Sequence, residues 1–351
     1  MKAWRISQHG GLENLKRIEL PSPVPSSSQV RIKVEAVGLN HMDLWVRKGV
    51  TGHRFPLPIT PGCDISGVIE STGTEAADKM KVLGISLGAP VLLNPGVSCG
   101  ICEACLGGFD PICSHYGIIG ETQDGGCADF VTAPIENIVL RPSDLSATDA
   151  AALPIPFVTA WSMLTRKACL RPGEVVLIHA GGSGVSVASI QIAKLLGGVV
   201  ITTVGSENKV SKAKALGADY VINYKKSSFR EEVKKITTQL GKKGVHVVLD
   251  HIGGETFQES LKCLAWGGRL VTCGSTQESE VKINLKHLFF KNISLFGSTI
   301  GSKADLIRIV ELVSQGKLKP VIDSVFKMEE YPKACEKLES REFFGKIVVG
   351  N

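Results

Sequence analysis

Two hydrophobic rhythms divide the chain near residue 170. Before it, short β-prone runs at 29–37, 67–71, 90–93 and 129–133 are broken by Gly and Pro. That punctuation predicts a compact, mostly antiparallel β-domain with irregular loops. After it, a continuous apolar strand at 174–180 (EVVLIHA) runs into a glycine-rich turn and a helical pattern at 185–196. Strand 199–204, helix 209–216, strand 219–222, helix 229–240, strand 245–250, helix 255–264 and strand 269–273 follow. Apolar strands alternating with amphipathic helices specify a parallel sheet covered on both faces, an α/β architecture. A further strand at 293–298 precedes a helix at 304–314, and the tail returns to short strands ending at 346–349.

Composition narrows the class. A chain of 351 residues exceeds one typical domain, so two are expected. With 43% hydrophobic and 21% charged residues, core material is ample. The net charge of +6 is spread along the sequence, which argues against a nucleic-acid partner. The first residues lack the apolar segment of a signal peptide, so a cytoplasmic location is expected. No apolar run approaches the roughly 18 residues of a membrane span, so no membrane partner is expected either. Apart from a proline- and serine-rich loop at 21–28, no repeat or low-complexity segment stands out.

The strongest local signal is the quartet Cys99, Cys102, Cys105 and Cys113, spaced C-x2-C-x2-C-x7-C. Four thiolates fill the tetrahedral shell of one zinc ion and leave no position for substrate, so one structural zinc per chain is expected. An iron–sulfur cluster, a redox cluster or a disulfide pair are the alternatives. The other six cysteines (63, 127, 169, 263, 273 and 335) are scattered singly, as in a reduced compartment, which disfavours disulfides.

The turn after the first parallel strand contains Gly181, Gly182, Ser183, Gly184 and Val185 and opens a helix. Small residues there let backbone N–H groups approach a pyrophosphate, whose charge the helix N-terminus stabilises. Read as G-x-G-x-x-G from Gly181, the second and third glycines are Ser183 and Ser186, both small. A tight βα turn without ligand is the plainer alternative, and it explains fewer of these residues. At the end of the second strand, an NAD site places an acid to hold the ribose hydroxyls. Here Thr202-Thr-Val-Gly-Ser206 has no carboxylate before Glu207. Ser206, Lys209 and Tyr224 offer hydroxyls and a positive charge to a 2′-phosphate, so NADPH is expected, with NADH the alternative. Gly274, after strand 269–273, and Lys346 complete the candidate cofactor contacts.

These features together resemble the medium-chain dehydrogenase/reductases, the superfamily of zinc alcohol dehydrogenases and zinc-free quinone oxidoreductases. The resemblance runs through Gly38-Leu-Asn-His-Met-Asp43, Pro61-Gly-Cys-Asp-Ile-Ser-Gly67, the cysteine lobe, Asp124-Gly-Gly-Cys-Ala-Asp129 and Phe157-Val-Thr-Ala-Trp161. It continues through Gln191-Ile-Ala-Lys194, Ala213-Lys-Ala-Leu-Gly-Ala-Asp219, Asp250-His-Ile-Gly-Gly254 and Gly345-Lys-Ile-Val348. It implies a GroES-like catalytic domain at 1–148 and 301–351, with the zinc lobe at about 94–116, and a Rossmann domain at 149–300. It also implies that Thr159 contacts the nicotinamide, and that the apolar strand at 293–298 joins two sheets in a homodimer or homotetramer.

The departures concern the catalytic metal. In zinc alcohol dehydrogenases a Cys, a His and a second Cys hold it. Here Asn40 stands for the first Cys, Cys63 for the His, and the stretch 153–156 (LPIP) carries no donor. Met42 stands where the proton relay begins and cannot carry a proton. Without a Lewis acid, alcohol oxidation is difficult, whereas hydride donation to a quinone or α,β-unsaturated carbonyl needs only a few hydrogen-bond donors. The expectation is an NADPH-dependent reductase of such small-molecule substrates, with Asn40 orienting the reactants. His41 is expected near the cofactor phosphates, and Cys63 as a buried, inert thiol. One alternative is an alcohol dehydrogenase or aldehyde reductase with an atypical zinc shell of Cys63, Asp64 and His41. The other is a non-catalytic NADPH-binding protein.

Overall fold

The computed structural model describes residues 1–350, in two compact units: Met1–Ile155 with the chain from Ser302 onward, and Pro156–Gly301. In the first, β1 (Lys2–Ile6) and β2 (Leu15–Glu19) form an antiparallel ribbon. The long β3 (Gln29–Gly38) is followed by α1 (His41–Lys48), β4 (Asp64–Thr72), α2 (Thr74–Leu83) and β5 (Pro90–Leu93). Alternation along β3 buries Val30, Ile32, Val34 and Ala36 and turns Lys33 outward, the two-residue period of a half-buried strand. The cysteine lobe comprises β6 (Gly96–Val97), the single turn α3 (Glu103–Leu106) and β7 (Gly117–Ile118), with β6 and β7 paired. Then come β8 (Phe130–Pro134), β9 (Ile138–Leu140) and α4 (Ala147–Ala151).

The first break falls later than the expected residue 148. α4 is capped by the Ser146 hydroxyl and buries Ala150 and Ala151 against the β-unit. A Cβ on Gly38 would collide with the Ala151 carbonyl, so the close approach of α4 to β3 requires a glycine there. Helices α1, α2, α3 and α4 stand where the pattern reads as irregular loop. In α1 the Asp43 carboxylate accepts the Asn40 N–H at 2.7 Å, half of a capping box. In α2 only Ala76 and Met80 are buried, a stripe too short to stand out.

In the second unit α5 (Pro154–Trp161) leads to β10 (Val175–Ile178), α6 (Gly184–Leu195), β11 (Val199–Val204), α7 (Asn208–Ala215) and β12 (Tyr220–Asn223). Next are α8 (Phe229–Gln239), β13 (Val245–Asp250), α9 (Gly254–Cys263), β14 (Leu264–Thr272), α10 (Leu285–Phe290) and β15 (Ser294–Gly297). The six strands are parallel in the order β12-β11-β10-β13-β14-β15, so the order reverses between β10 and β13. That reversal is where a doubly wound sheet opens a crevice for ligand. All four residues of β10 are buried, as a central parallel strand requires. β14 begins before the expected residue 269: Leu264 pairs with Val245, and a register shift intervenes before Arg269 pairs with Val247.

The chain then returns to the first unit through α11 (Lys303–Ser314), β16 (Ile322–Lys327), α12 (Tyr331–Ser340) and β17 (Lys346–Gly350); α12 stands where only short strands are expected, and it buries Tyr331, Ala334, Cys335 and Leu338. β17 runs between β16 and β3 in the sheet β16-β17-β3-β4-β5-β9. Its Val348 lies opposite Gly38, which in turn lies opposite Asp64. Among the described residues no helix is long and apolar enough to cross a membrane.

Candidate functional site

The register of β17, β3 and β4 assembles a buried polar network around Asn40. The Lys346 ammonium donates to the Leu39 carbonyl (2.6 Å), Asn40 Oδ1 (2.8 Å) and Asp64 Oδ2 (2.9 Å). Asn40 Nδ2 donates to Asp64 Oδ2 (2.8 Å) and Cys63 Sγ (3.2 Å), and also reaches the Gly38 carbonyl (3.3 Å). Asp64 Oδ1 accepts the Ile155 N–H at 2.8 Å, so the donor-free 153–156 stretch still feeds the network through its backbone. Asp64 is fully buried and Lys346 is 5% exposed. An ammonium has three donors, and all three are engaged here, which leaves none for the cofactor contact expected of Lys346.

Asp43 ties two loops together, accepting from the Asn40 N–H and, at 3.0 Å, from the Gly62 N–H. Burial raises its carboxyl to about 6 against the pull of the Asn40 N–H. Burial also pushes the Cys63 thiol up, and the Asp64 and Asp43 carboxylates add to this, so Cys63 is a neutral, unreactive thiol. His41 lies half-buried, edge-on to Trp45 with ring centroids 5.2 Å apart. Burial, then the positive charges of Arg341 and Lys48, lower its pKa. Met42 packs against the apolar core.

The cysteine lobe gathers its four expected ligands. Cys99 and Cys105 Sγ are 3.9 Å apart, Cys102 and Cys105 3.5 Å, and Cys113 and Cys99 3.6 Å. A tetrahedron with Zn–S bonds of about 2.3 Å has edges of about 3.8 Å, so the quartet fits one zinc ion. N–H groups of Ile101 and Cys102 hold the Cys99 thiol down to about 6, towards the thiolate a metal needs. All ten cysteines are free thiols, and among the described residues this is the only group of three or more metal-ligating side chains converging within 4.8 Å.

The nucleotide turn is built from β10 into α6. Ser183 caps α6, its hydroxyl accepting the Ser186 N–H at 3.2 Å, while the Ser186 hydroxyl donates to the His179 carbonyl at 2.7 Å. The two serines in glycine positions thus order the turn. A Cβ on Gly181 would strike the Thr202 side chain, which explains the glycine at the tightest approach to β11. Gly182 completes the turn, and Gly184 and Val185 open the helix. His179 is buried between Ser260 Oγ (2.7 Å) and Thr203 Oγ1 (3.2 Å), and burial lowers its pKa to about 3, so it is neutral.

The buried polar atoms of this unit without a hydrogen-bond partner include Thr159 Oγ1 and Asp250 Oδ2, beside Ser162 Oγ, Arg269 Nε and Ser298 Oγ. Buried polar atoms are rarely left so, and such atoms suit a polar ligand such as a dinucleotide. Asp250 was not singled out from the sequence; its signal was a carboxylate closing an apolar strand at the sheet reversal. Its Oδ1 accepts the N–H groups of Ile252 (3.1 Å) and Gly253 (2.9 Å), and burial raises it to about 6. The neighbouring His251 reaches Ser183 Oγ at 3.2 Å. The Gly274 carbonyl accepts from the Thr272 hydroxyl at 3.1 Å. Past β11, Ser206 donates to Asn208 Oδ1 (2.5 Å), the Lys209 N–H meets the Ser206 carbonyl (3.3 Å), and the half-exposed Tyr224 sets its hydroxyl over Gly205. Ser206 and Lys209 therefore share one turn, with Tyr224 beside it.

A GroES-like unit carrying a four-thiolate lobe, together with a doubly wound nucleotide-binding unit, defines a dehydrogenase class. Residues 26–143 match the alcohol dehydrogenase GroES-like domain, and residues 184–315 match the zinc-binding dehydrogenase domain. The chain belongs to the medium-chain dehydrogenase/reductase superfamily of zinc-type alcohol dehydrogenases, and it is an NAD(P)H-dependent oxidoreductase. It is 32% identical over 358 residues to an NAD-dependent alcohol dehydrogenase of Sulfurisphaera tokodaii, with 99% of each chain covered. To the quinone oxidoreductase of Mus musculus it is 32% identical over 343 residues, with 96% of this chain and 93% of that protein covered. The crystal structure of an NAD-dependent alcohol dehydrogenase, 43% identical, superposes with a TM-score of 0.93 over 100% of both chains.

Proposed function

We propose that this protein is an NADPH-dependent reductase of quinones or α,β-unsaturated carbonyl compounds, with one structural zinc and no catalytic metal. The carrying observation is the network around Asn40. At the three places where zinc alcohol dehydrogenases present ligands stand a carboxamide, a neutral buried thiol and a backbone N–H. The Lys346 ammonium, held by the carboxylate and carbonyl oxygens, is the fixed cation of that pocket. An ammonium with no free coordination position is not a Lewis acid for an alkoxide, so it does not lower an alcohol's pKa.

Bound NADPH supplies a hydride, and a conjugated acceptor spreads the resulting negative charge onto its oxygen. The chain's own task is then positioning. Lys346 and Asp64 hold the Asn40 carboxamide in one orientation, leaving Oδ1 one acceptor site. Thr159, with its unpartnered hydroxyl, is the candidate contact to the nicotinamide. The turn at Gly181, Gly182, Ser183, Gly184 and Val185 receives the pyrophosphate, with Gly274 beside the next strand end and His41 a phosphate contact of the first unit. Ser206, Lys209 and Tyr224 receive the 2′-phosphate.

The names of the alcohol dehydrogenase relatives favour a second reading, a zinc-dependent enzyme with an atypical shell of Cys63, Asp64 and His41. Metal content set against turnover separates the two. About one zinc per chain, with NADPH oxidised by quinones or enones and poor oxidation of simple alcohols, supports the reductase. A second equivalent whose removal abolishes activity, while the cysteine lobe stays loaded, overturns it. We further propose a homodimer, or a tetramer built from dimers, joined at β15, and a cytoplasmic location, which suits ten free thiols.

A further inference from the structure

The first carboxylate after β11 is Glu207, and it is not free to serve a ribose. Its Oε2 is 2.6 Å from the Lys226 ammonium and accepts from Asn223 Nδ2 at 3.3 Å. These donors come from the end of β12 and the loop beyond it, the strand next to β11, whose Val204 lies opposite Asn223. We propose that Lys226 is a specificity-determining positioning residue: by holding Glu207 against the β12 end, it withholds an acid that would otherwise favour NADH and repel a 2′-phosphate. The proposal rests on the reading that Ser206, Lys209 and Tyr224 face that phosphate.

The physical logic is one of charge placement. An acid one residue beyond Ser206 stands beside the group that is to receive a dianion. Like charges repel, and a phosphate carries close to two negative charges. A neutralised carboxylate contributes little of that repulsion. An unpaired one regains the capacity to accept ribose hydroxyls, which is how acids at this strand end select NADH. The contact with Lys226, then that with Asn223, lowers the pKa of Glu207, as expected of an ionised, paired carboxylate. Around it the sequence is basic, with Lys209, Lys212, Lys214, Lys225 and Lys226 against Glu207 and Asp219, and Asp219 is itself paired with Lys194 at 2.8 Å.

Dissociation constants for NADPH and NADH, measured by nicotinamide fluorescence on the whole protein, test this without reference to turnover. At low ionic strength Lys226→Ala should weaken NADPH about three- to tenfold and leave NADH unchanged or tighter, so that the preference ratio falls. Lys226→Arg should keep the native ratio. In the Glu207→Gln background, Lys226→Ala should no longer weaken NADPH by more than about twofold, because the acid it restrained is gone. An unchanged ratio in Lys226→Ala overturns the proposal. So does a loss that persists in the Glu207→Gln background, since Lys226 would then act on the phosphate itself. A native protein that binds NADH more tightly than NADPH overturns the underlying reading, while the cycle still reports whether Lys226 and Glu207 are coupled.

Discussion

Replacing the Lys346 ammonium by a thioether leaves the Asp64 carboxylate buried without its counter-charge. Lys346→Met should therefore destabilise the protein by about 3–5 kcal/mol in urea unfolding, the range for breaking one side of a buried pair. Asp64→Asn combined with Lys346→Met removes the stranded charge and should lose less than Lys346→Met alone. Equal losses would mean that packing, not charge, is what Lys346 supplies. In activity the expected order is Cys63→Ala close to the native protein and Asn40→Ala well below it, because in the proposed function Asn40, not Cys63, orients the reactants. Lys209→Ala should weaken NADPH binding by roughly 1–3 kcal/mol, the range for a charge-assisted hydrogen bond, and leave NADH nearly unaffected in the same titration. Much of this was legible in residue identities: Asn40, Cys63 and the donor-free 153–156 stretch are visible as substitutions in known motifs. The partnership of Lys346 with Asp64 was not, because 282 residues separate them and only the pairing of β17 with β3 brings them together.

At the scale of elements, the cysteine lobe and the nucleotide turn differ in what keeps them folded. The lobe has little core of its own, with Ile101, Leu106 and Ile112 exposed, so a zinc ion bound by the quartet, as proposed, would supply its stability. Cys105→Ser should lower both zinc content and melting temperature; a variant equally stable with unchanged zinc would refute the assignment. The turn instead stands on the buried His179. Its pKa is about 3 in the folded chain, against an ordinary 6.5, so unfolding between those values takes up a proton. The stability from a neutral His179 is thus present above pH 6.5 and lost as pH falls towards 3, on the order of 5 kcal/mol in full. Asp43 and Asp250, raised to about 6, work in the opposite sense between about pH 4 and 6. The clean measurement is therefore a difference: the stability gap between the native protein and His179→Gln should narrow from pH 7 to pH 5. The strands and helices of the parallel sheet, α5 and α10 excepted, were read from the sequence to within a few residues, because buried strands and amphipathic helices have strong and different periods. α1 and α2 were not, since each is short and buries only part of one face, and the register shift in β14 left no periodic trace.

For the whole molecule, β15 is the terminal strand of the parallel sheet, with Leu295 and Phe296 only partly covered. An open edge of that kind invites pairing with a second copy. Sedimentation at micromolar concentration should show a dimer or tetramer, and a monomer would contradict the expectation. The two-unit organisation itself was legible from the change of rhythm near residue 170, while the break at Ile155 was not, because α4 belongs to the β-unit by packing rather than by pattern. The placement of β17 has a further consequence, in time rather than space. On the ribosome the second unit, a continuous stretch of chain, is complete once Gly301 has emerged. The first unit at that moment has β3, β4 and β8 in hand but lacks β17, the strand that pairs with the C-terminal end of β3. Asp64 then waits, already synthesised, for a lysine still nearly three hundred residues behind it. The nucleotide-binding unit should accordingly be the first to acquire protease resistance during synthesis, and the polar network around Asn40 the last part of the enzyme to exist.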